Sequence, residues 1–289
     1  MRAKSVDIKA ADIEAARAAL EERKRLIGFE ALGRTLSYSP YLSRVGLEHF
    51  RRGADTLPYR AYGLYIDSQN FANNPESHLY HISQFEATHR EASESSSSES
   101  SQPPRAYVID LCKLLYGDSL PFGEVGGLAQ SMQDFLAKSE STPRTANLAM
   151  PNPLEAISLL RRYSTLPLIH ADIFFEEYQI LESALFGADL LLLPCSHLDT
   201  QTLSKLLGFA HRLEMGCFVY VRDKDELKRA IFSGASALYV PESALEKLLS
   251  LIPNTQIIAS DSRQKYGVDV EICPMSEASS ESSEGLSEV

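Results

Sequence analysis

From residue 105 onward the chain alternates short apolar runs with amphipathic stretches, and this alternation restricts the fold more than any other feature. The runs are Tyr107–Cys112, Ala146–Met150, Leu166–Ile173, Asp189–Pro194, Cys217–Val221, Ala237–Val240, Gln256–Ala259 and Val268–Cys273. They are short and nearly continuous in apolar residues, the pattern of a strand covered on both faces. Segments 125–138, 153–163, 176–186, 199–214, 223–233 and 242–251 carry apolar residues at helical spacing instead. Strands separated by helices pair in parallel, because a parallel neighbour is reached only by a crossover. Eight such strands predict an α/β fold, a closed (β/α)8 TIM barrel. No G-x-G-x-x-G follows the first run, which argues against a dinucleotide-binding sheet. Only 261–267, DSRQKYG, separates the last two runs, so strands seven and eight should have a shortened connection without a full helix.

Local punctuation agrees with this frame. Asp199 is placed to cap a helix whose buried face is Leu203, Leu206, Leu207 and Ala210. Gly187, Gly216 and Gly234 stand where a helix must stop and a strand begin. Upstream, Ile8, Ile13, Ala16, Leu20, Leu26, Phe29, Leu32 and Leu36 share a helical period, and Pro40 ends it. Residues 1–50 therefore read as an N-terminal helical extension. Tyr62–Ile66 could form a short strand. The stretch 88–104, which contains SESSSSESSQPP, cannot bury enough apolar surface to order itself. The expected order is extension 1–50, insertion and Ser/Glu linker 51–104, barrel 105–275 and acidic tail 276–289.

Composition excludes some classes. The net charge of −11 argues against nucleic acid or an anionic membrane held by bulk electrostatics. No apolar run is long enough to span a bilayer, and the first residues form a charged helix pattern rather than a signal peptide. Cys112, Cys195, Cys217 and Cys273 are widely spaced within apolar runs, as expected of reduced, buried thiols in a cytoplasmic protein with no metal site.

Residues 153–240 carry a family resemblance. PLEAISLLRRYSTLPLIHADIF, EEYQILESALFGADLLLL and LGFAHRLEMGCFVYVRDKDELKRAIFSGASALYV resemble, without gaps, the second helix through the sixth strand of indole-3-glycerol-phosphate synthases. That family is a (β/α)8 barrel of tryptophan synthesis. The resemblance implies a ring-closing decarboxylation of 1-(2-carboxyphenylamino)-1-deoxyribulose 5-phosphate, a carbon–carbon lyase reaction that uses no cofactor.

The family's site positions are nearly all substituted. Its strand three reads LPVLRKDF, and the lysine that serves as general acid falls at Ala171. A methyl group has no proton to give. His170 alongside should face the helices. Strand one, IAEIKKASPS, places its glutamate at Asp110 and its lysine at Cys112, with Lys113 turned to the other face. The strand-five glutamate falls at Tyr220, the strand-six asparagine at Pro241, and the strand-seven glutamate at Ser260, beside Asp261. The strand-eight phosphate turn falls at Pro274-Met275, and proline lacks the N–H that a phosphate cradle uses. Asp110 is the surviving candidate catalytic residue, and Pro241 and Asp261 hold substrate-binding positions. Three readings follow: a synthase with weak or no activity, a non-catalytic scaffold for a protein partner, or a barrel enzyme of changed chemistry around Asp110, Cys112, Tyr220 and Ser260. A small phosphorylated substrate or a protein is the expected partner.

Overall fold

The computed structural model describes residues 10–39, 41, 43, 45–53, 58–65, 82–84, 86–87, 104–111, 154–262 and 267–274. Two helices, α1 (Ala10–Leu26) and α2 (Phe29–Leu36), precede a 3-10 turn, Leu47–Phe50. Then come β1 (Tyr59–Tyr65), β2 (Ala106–Asp110), α3 (Glu155–Tyr163), β3 (Leu168–Ala171), α4 (Glu177–Phe186) and β4 (Leu190–Pro194). The chain continues through α5 (Thr200–Arg212), β5 (Gly216–Tyr220), α6 (Lys224–Phe232), β6 (Ala237–Tyr239), α7 (Glu242–Leu248), β7 (Ile257–Ser260) and β8 (Val270–Pro274). Each strand pairs in parallel with the next, and β8 pairs with β1, so the sheet closes into a barrel.

The strand count is as expected, but its first member is not. Tyr59–Tyr65 is strand one, and the run at 107–112 is strand two. The barrel therefore begins upstream of the boundary at 105. The run Ala146–Met150 lies outside the described residues, and β2 pairs directly with β3 from Tyr107↔Leu168 to Asp110↔Ala171. The sequence shows this strand only as the short run Tyr62–Ile66, because Arg60 and Gly63 interrupt its apolar pattern, which weakens the signal of a buried strand. The Ser/Glu linker, the segment 125–138, Lys113 and the acidic tail also fall outside the described residues.

Alternation along the strands sorts side chains into two buried layers. Ala61, Val108, Ile169, Ala171, Leu192, Phe218, Tyr220 and Tyr239 point into the barrel. Ile109, Leu191, Val219, Leu238 and Ile258 point outward and pack beneath Leu160, Ile180, Leu206 and Leu245 of the surrounding helices. Phe50 plugs the N-terminal end of the barrel: it is fully buried and meets Phe218 edge-on at 5.8 Å. Gly216 permits this closure, because a Cβ there would stand 2.7 Å from Leu47 Cγ and 2.9 Å from Leu190 Cδ2. The left-handed residue in that turn is Glu214, with φ 60°.

The expected single extension helix is broken at Gly28. Tyr178 holds the break: its single hydroxyl hydrogen is shared between the carbonyls of Ile27 (3.0 Å) and Arg23 (3.2 Å) at the end of α1, where helix carbonyls run out of partners. From there α2 packs along α4. The chain then reaches the opposite end of the barrel, where the Ser43 hydroxyl donates to the Asp189 carbonyl at 3.1 Å.

Asp189 joins the parts. Its carboxylate accepts from both terminal nitrogens of Arg161 on α3, one at 2.8 Å, and from the Leu168 N–H at 2.9 Å. Its own N–H donates back to the Leu168 carbonyl at 2.9 Å. Arg161 is 3% exposed and Asp189 is 0%. Gly187 lets the chain turn into this corner at φ 100°, where a Cβ would lie 3.1 Å from the Tyr41 ring.

Removing one member of a buried ion pair strands the other. Asp189→Ala should destabilise the fold by about 3–5 kcal/mol. Arg161→Met combined with it should lose less than the sum of the two single losses. Urea unfolding of the parent, both single variants and the double variant measures this.

Candidate functional site

Barrel enzymes place their chemistry where the strands end. Here Asp110 closes β2, half-buried, with its Cα paired to Tyr65 on one side and Ala171 on the other. Alternation with Ala106 and Val108 puts it on the inward face. Asp110 thus stands on the second strand, and its match to a strand-one glutamate does not hold. The strand that does come first, YRAYGLY, contains neither lysine nor glutamate. Cys112 lies outside the described residues.

Ala171 and Tyr220 stand as alternation predicts, both inside the barrel and both buried. Tyr220 stacks on Tyr239 of β6, with ring centroids 5.2 Å apart and planes 27° from parallel. Ser260 does not share this space. Ala259 is the inward residue of β7, so Ser260 faces the helices with Ile258, fully buried, and its hydroxyl accepts the Ser262 N–H at 3.1 Å. A period of two turns the next side chain away whenever a match slips by one residue.

Pro241 and Asp261 meet across the loops after β6 and β7. Pro241 is the N-cap of α7, and the Asp261 carboxylate accepts the Glu242 N–H at 2.6 Å. Burial raises the Asp261 pKa despite that bond. Burial, followed by the negative charge of Asp261 and then Tyr220, lifts the Tyr239 phenol well above its usual 10. Around neutral pH this corner holds the neutral Tyr239 hydroxyl beside a carboxyl group. Such a set can donate and accept hydrogen bonds. Among the described residues, the inward positions at the strand ends (Asp110, Ala171, Pro194, Tyr220, Tyr239 and Ala259) include no lysine and no glutamate.

His170 faces α4, as expected. Its Nδ1 is 2.8 Å from Ser183 Oγ, and its ring meets Phe174 edge-on at 5.7 Å. Burial pushes its pKa down to about 4. Two features of this region carry no sequence motif. Glu182 of α4, pushed up to about 7 by burial, pairs with Arg23 of α1 at 3.1 Å. Arg17 lies over the Phe175 ring at 4.3 Å, while His197 meets the same ring at 5.1 Å and bonds the Phe174 carbonyl at 2.9 Å. Together they place α1 against the loops that follow β3 and β4. Only the basic Arg23-Lys24-Arg25 cluster at the end of α1 hinted at an acidic partner.

Comparison with known proteins locates the resemblance. Residues 153–274 match the family model described as Indole-3-glycerol phosphate synthase. Over 119 residues the chain is 41% identical to the indole-3-glycerol phosphate synthase of Campylobacter jejuni subsp. jejuni serotype O:23/36, covering 38% of this chain and 46% of that protein. The synthase of Sulfurimonas denitrificans is 34% identical over 119 residues, 38% of this chain and 45% of the relative. The chain thus spans under half the length of the curated relatives it matches. Among solved structures, KGPDC from Streptococcus mutans gives a TM-score of 0.47 at 11% identity, over 78% of this chain and 91% of that one; a likeness this loose says nothing about chemistry.

Two buried groups should give stability opposite slopes in one pH window. The folded pKa of His170, about 4, lies below the usual 6.5, so its contribution is present above pH 6.5 and is lost as pH falls through 4. That loss is on the order of 3 kcal/mol. The folded pKa of Glu182, about 7, lies above the usual 4.5, so its contribution is present below pH 4.5 and is lost as pH rises through 7. In urea titrations between pH 4 and 8, His170→Leu should leave stability falling with rising pH relative to the parent. Glu182→Gln should leave it falling toward acid.

Proposed function

We propose that this chain is a barrel of the indole-3-glycerol phosphate synthase lineage whose ring-closing activity is weak or lost. The observation that carries the reading is the pair Ala171 and Tyr220, inward on β3 and β5 within the matched segment. They occupy the places of the lysine and glutamate that the resemblance assigns to acid and base.

A slipped match does not rescue the chemistry. One step along β3 brings His170, which faces α4 and stays neutral down to about pH 4, or Asp172. One step along β5 brings Val219 or Val221, both fully buried. None of these is a lysine or a glutamate. A positioned acid or base typically supplies about 10²–10⁴ in rate, so losing both removes several orders of magnitude. Tyr220 and Tyr239 add a second effect. Their stacked rings occupy the inner wall of the barrel, where a carboxylate would have extended into a polar site.

The likeness to the family over residues 153–274 supports the ancestry, and the two inward substitutions support the loss of chemistry. A changed reaction is the second reading, supported by Tyr239 and Asp261 sharing one corner with raised pKa values. A catalyst tuned to transfer protons near pH 7 needs a pKa near 7, and a phenol driven far above 10 moves away from it. The reading without catalysis is therefore the better supported.

The purified chain, given 1-(2-carboxyphenylamino)-1-deoxyribulose 5-phosphate, should produce no indole fluorescence above background. Turnover above that of a boiled control, lost on Asp110→Asn, would instead make Asp110 a catalyst and overturn the proposal.

A further inference from the structure

The helix ring around the barrel is uneven beside β5. α5 has 13 residues and α6 has 9. At about 1.5 Å per residue, α6 is shorter by about 6 Å, roughly one turn. A groove of about 610 Å³ opens beside the C-terminal part of α5, next to the 3-10 turn before β1. Leu207, Met215 and Cys217 give it an apolar part, Glu48 and His211 also line it, and its walls include Gly208, Gly234 and Ser236. A Cβ added to Gly208 or Gly234 would meet nothing within 4 Å, so the walls are open to an incoming side chain. Glu214 stands on the rim, exposed.

The last residue of α6 stands at the edge of this groove. Phe232 is 80% exposed, and its neighbour Ser233 lines the wall. Lys228, one turn earlier on the same face of α6, is 70% exposed and reaches Asp225 only at 3.8 Å. An aromatic knob flanked by a positive charge thus lies beside a partly apolar groove lined by the carboxylates Glu48 and Glu214. A two-fold axis passing between knob and groove makes such a face complementary to itself: aromatic to groove, Lys228 to Glu214.

We propose that two copies of this chain associate through this face, with Phe232 of each copy seated in the groove of the other. The partner is a second copy because both halves of the complementarity, the shape and the charge, are present on one patch. A buried aromatic anchor at the centre of a patch is the kind of residue that dominates interface energy. This inference is independent of whether the barrel catalyses anything.

The full chain should be followed by sedimentation velocity from about 1 to about 200 µM, the range in which a modest interface titrates. A shift from the 32.0 kDa species to twice that mass is expected. Phe232→Glu, on the knob, and Gly208→Arg, on the groove wall, should each weaken association by at least about tenfold. Their circular dichroism and melting temperatures should stay unchanged. Lys228→Glu should weaken association, and adding Glu214→Lys should restore it. A monomer at every concentration overturns the proposal, as does a dimer indifferent to both Phe232→Glu and Gly208→Arg.

Discussion

The pairing of Asp189 with Arg161 is where the separate parts of this molecule are held to one another. A carboxylate buried at the start of β4 has to be neutralised and fully hydrogen-bonded, and each partner that does so comes from a different element. Arg161 brings α3, and the Leu168 N–H brings the start of β3 into register with β4. The Asp189 carbonyl takes the Ser43 hydroxyl, and with it the descending N-terminal segment. Gly187 is required because nothing larger turns the chain into the space between Tyr41 and Arg161. Such a cluster adds less to net stability than its bonds suggest, since desolvation offsets much of the gain. Its main effect is specificity: a β4 displaced by one residue would leave a buried charge without partners.

The two ends of the barrel have been treated differently. The N-terminal end is closed by packing, through Phe50 against Phe218 and Leu47 over Gly216. At the C-terminal ends of the strands the framework remains, with Asp261 receiving the first turn of α7 and Asp199 and Asp223 capping α5 and α6. The side chains on the inward face are those of a core: Ala171, Tyr220, Tyr239 and Ala259. An active site and a hydrophobic core make opposite demands on the same positions. Among the described residues these four positions are packed as a core, with the half-buried Asp110 beside them on β2.

The sequence made the helices and most strands of the second half legible because each carries its own period and punctuation. The Asp199 cap was readable from spacing, and its carboxylate does accept the Thr202 N–H at 2.7 Å. Ala171, Tyr220 and His170 were readable because alternation within a firmly placed strand fixes the facing of every residue. Ser260 was misjudged for the same reason in reverse: near a strand end, a one-residue error in the match inverts the facing. Strand one is legible only in part, as the short run Tyr62–Ile66, because Arg60 and Gly63 break its pattern; counting 107–112 as the first strand is what set Asp110 one strand too early. The break at Gly28 and the ion pair between Arg23 and Glu182 were invisible, since both are set by α4, more than a hundred residues away in the chain.

The route of the N-terminal segment bears on how the protein is made. Arg23 and its partner Glu182 are 159 residues apart in sequence. At about 5–20 residues per second, a ribosome takes on the order of ten to thirty seconds to add that length. Throughout that interval α1 and α2 have no groove to enter. Ala16, Leu20 and Leu32, fully or almost fully covered in the finished molecule, stay exposed on the growing chain. α1 thus reaches its place only after α4, made well over a hundred residues later, has emerged. β1 waits longer still, since its partner β8 begins at Val270, so the extension and the barrel both close late.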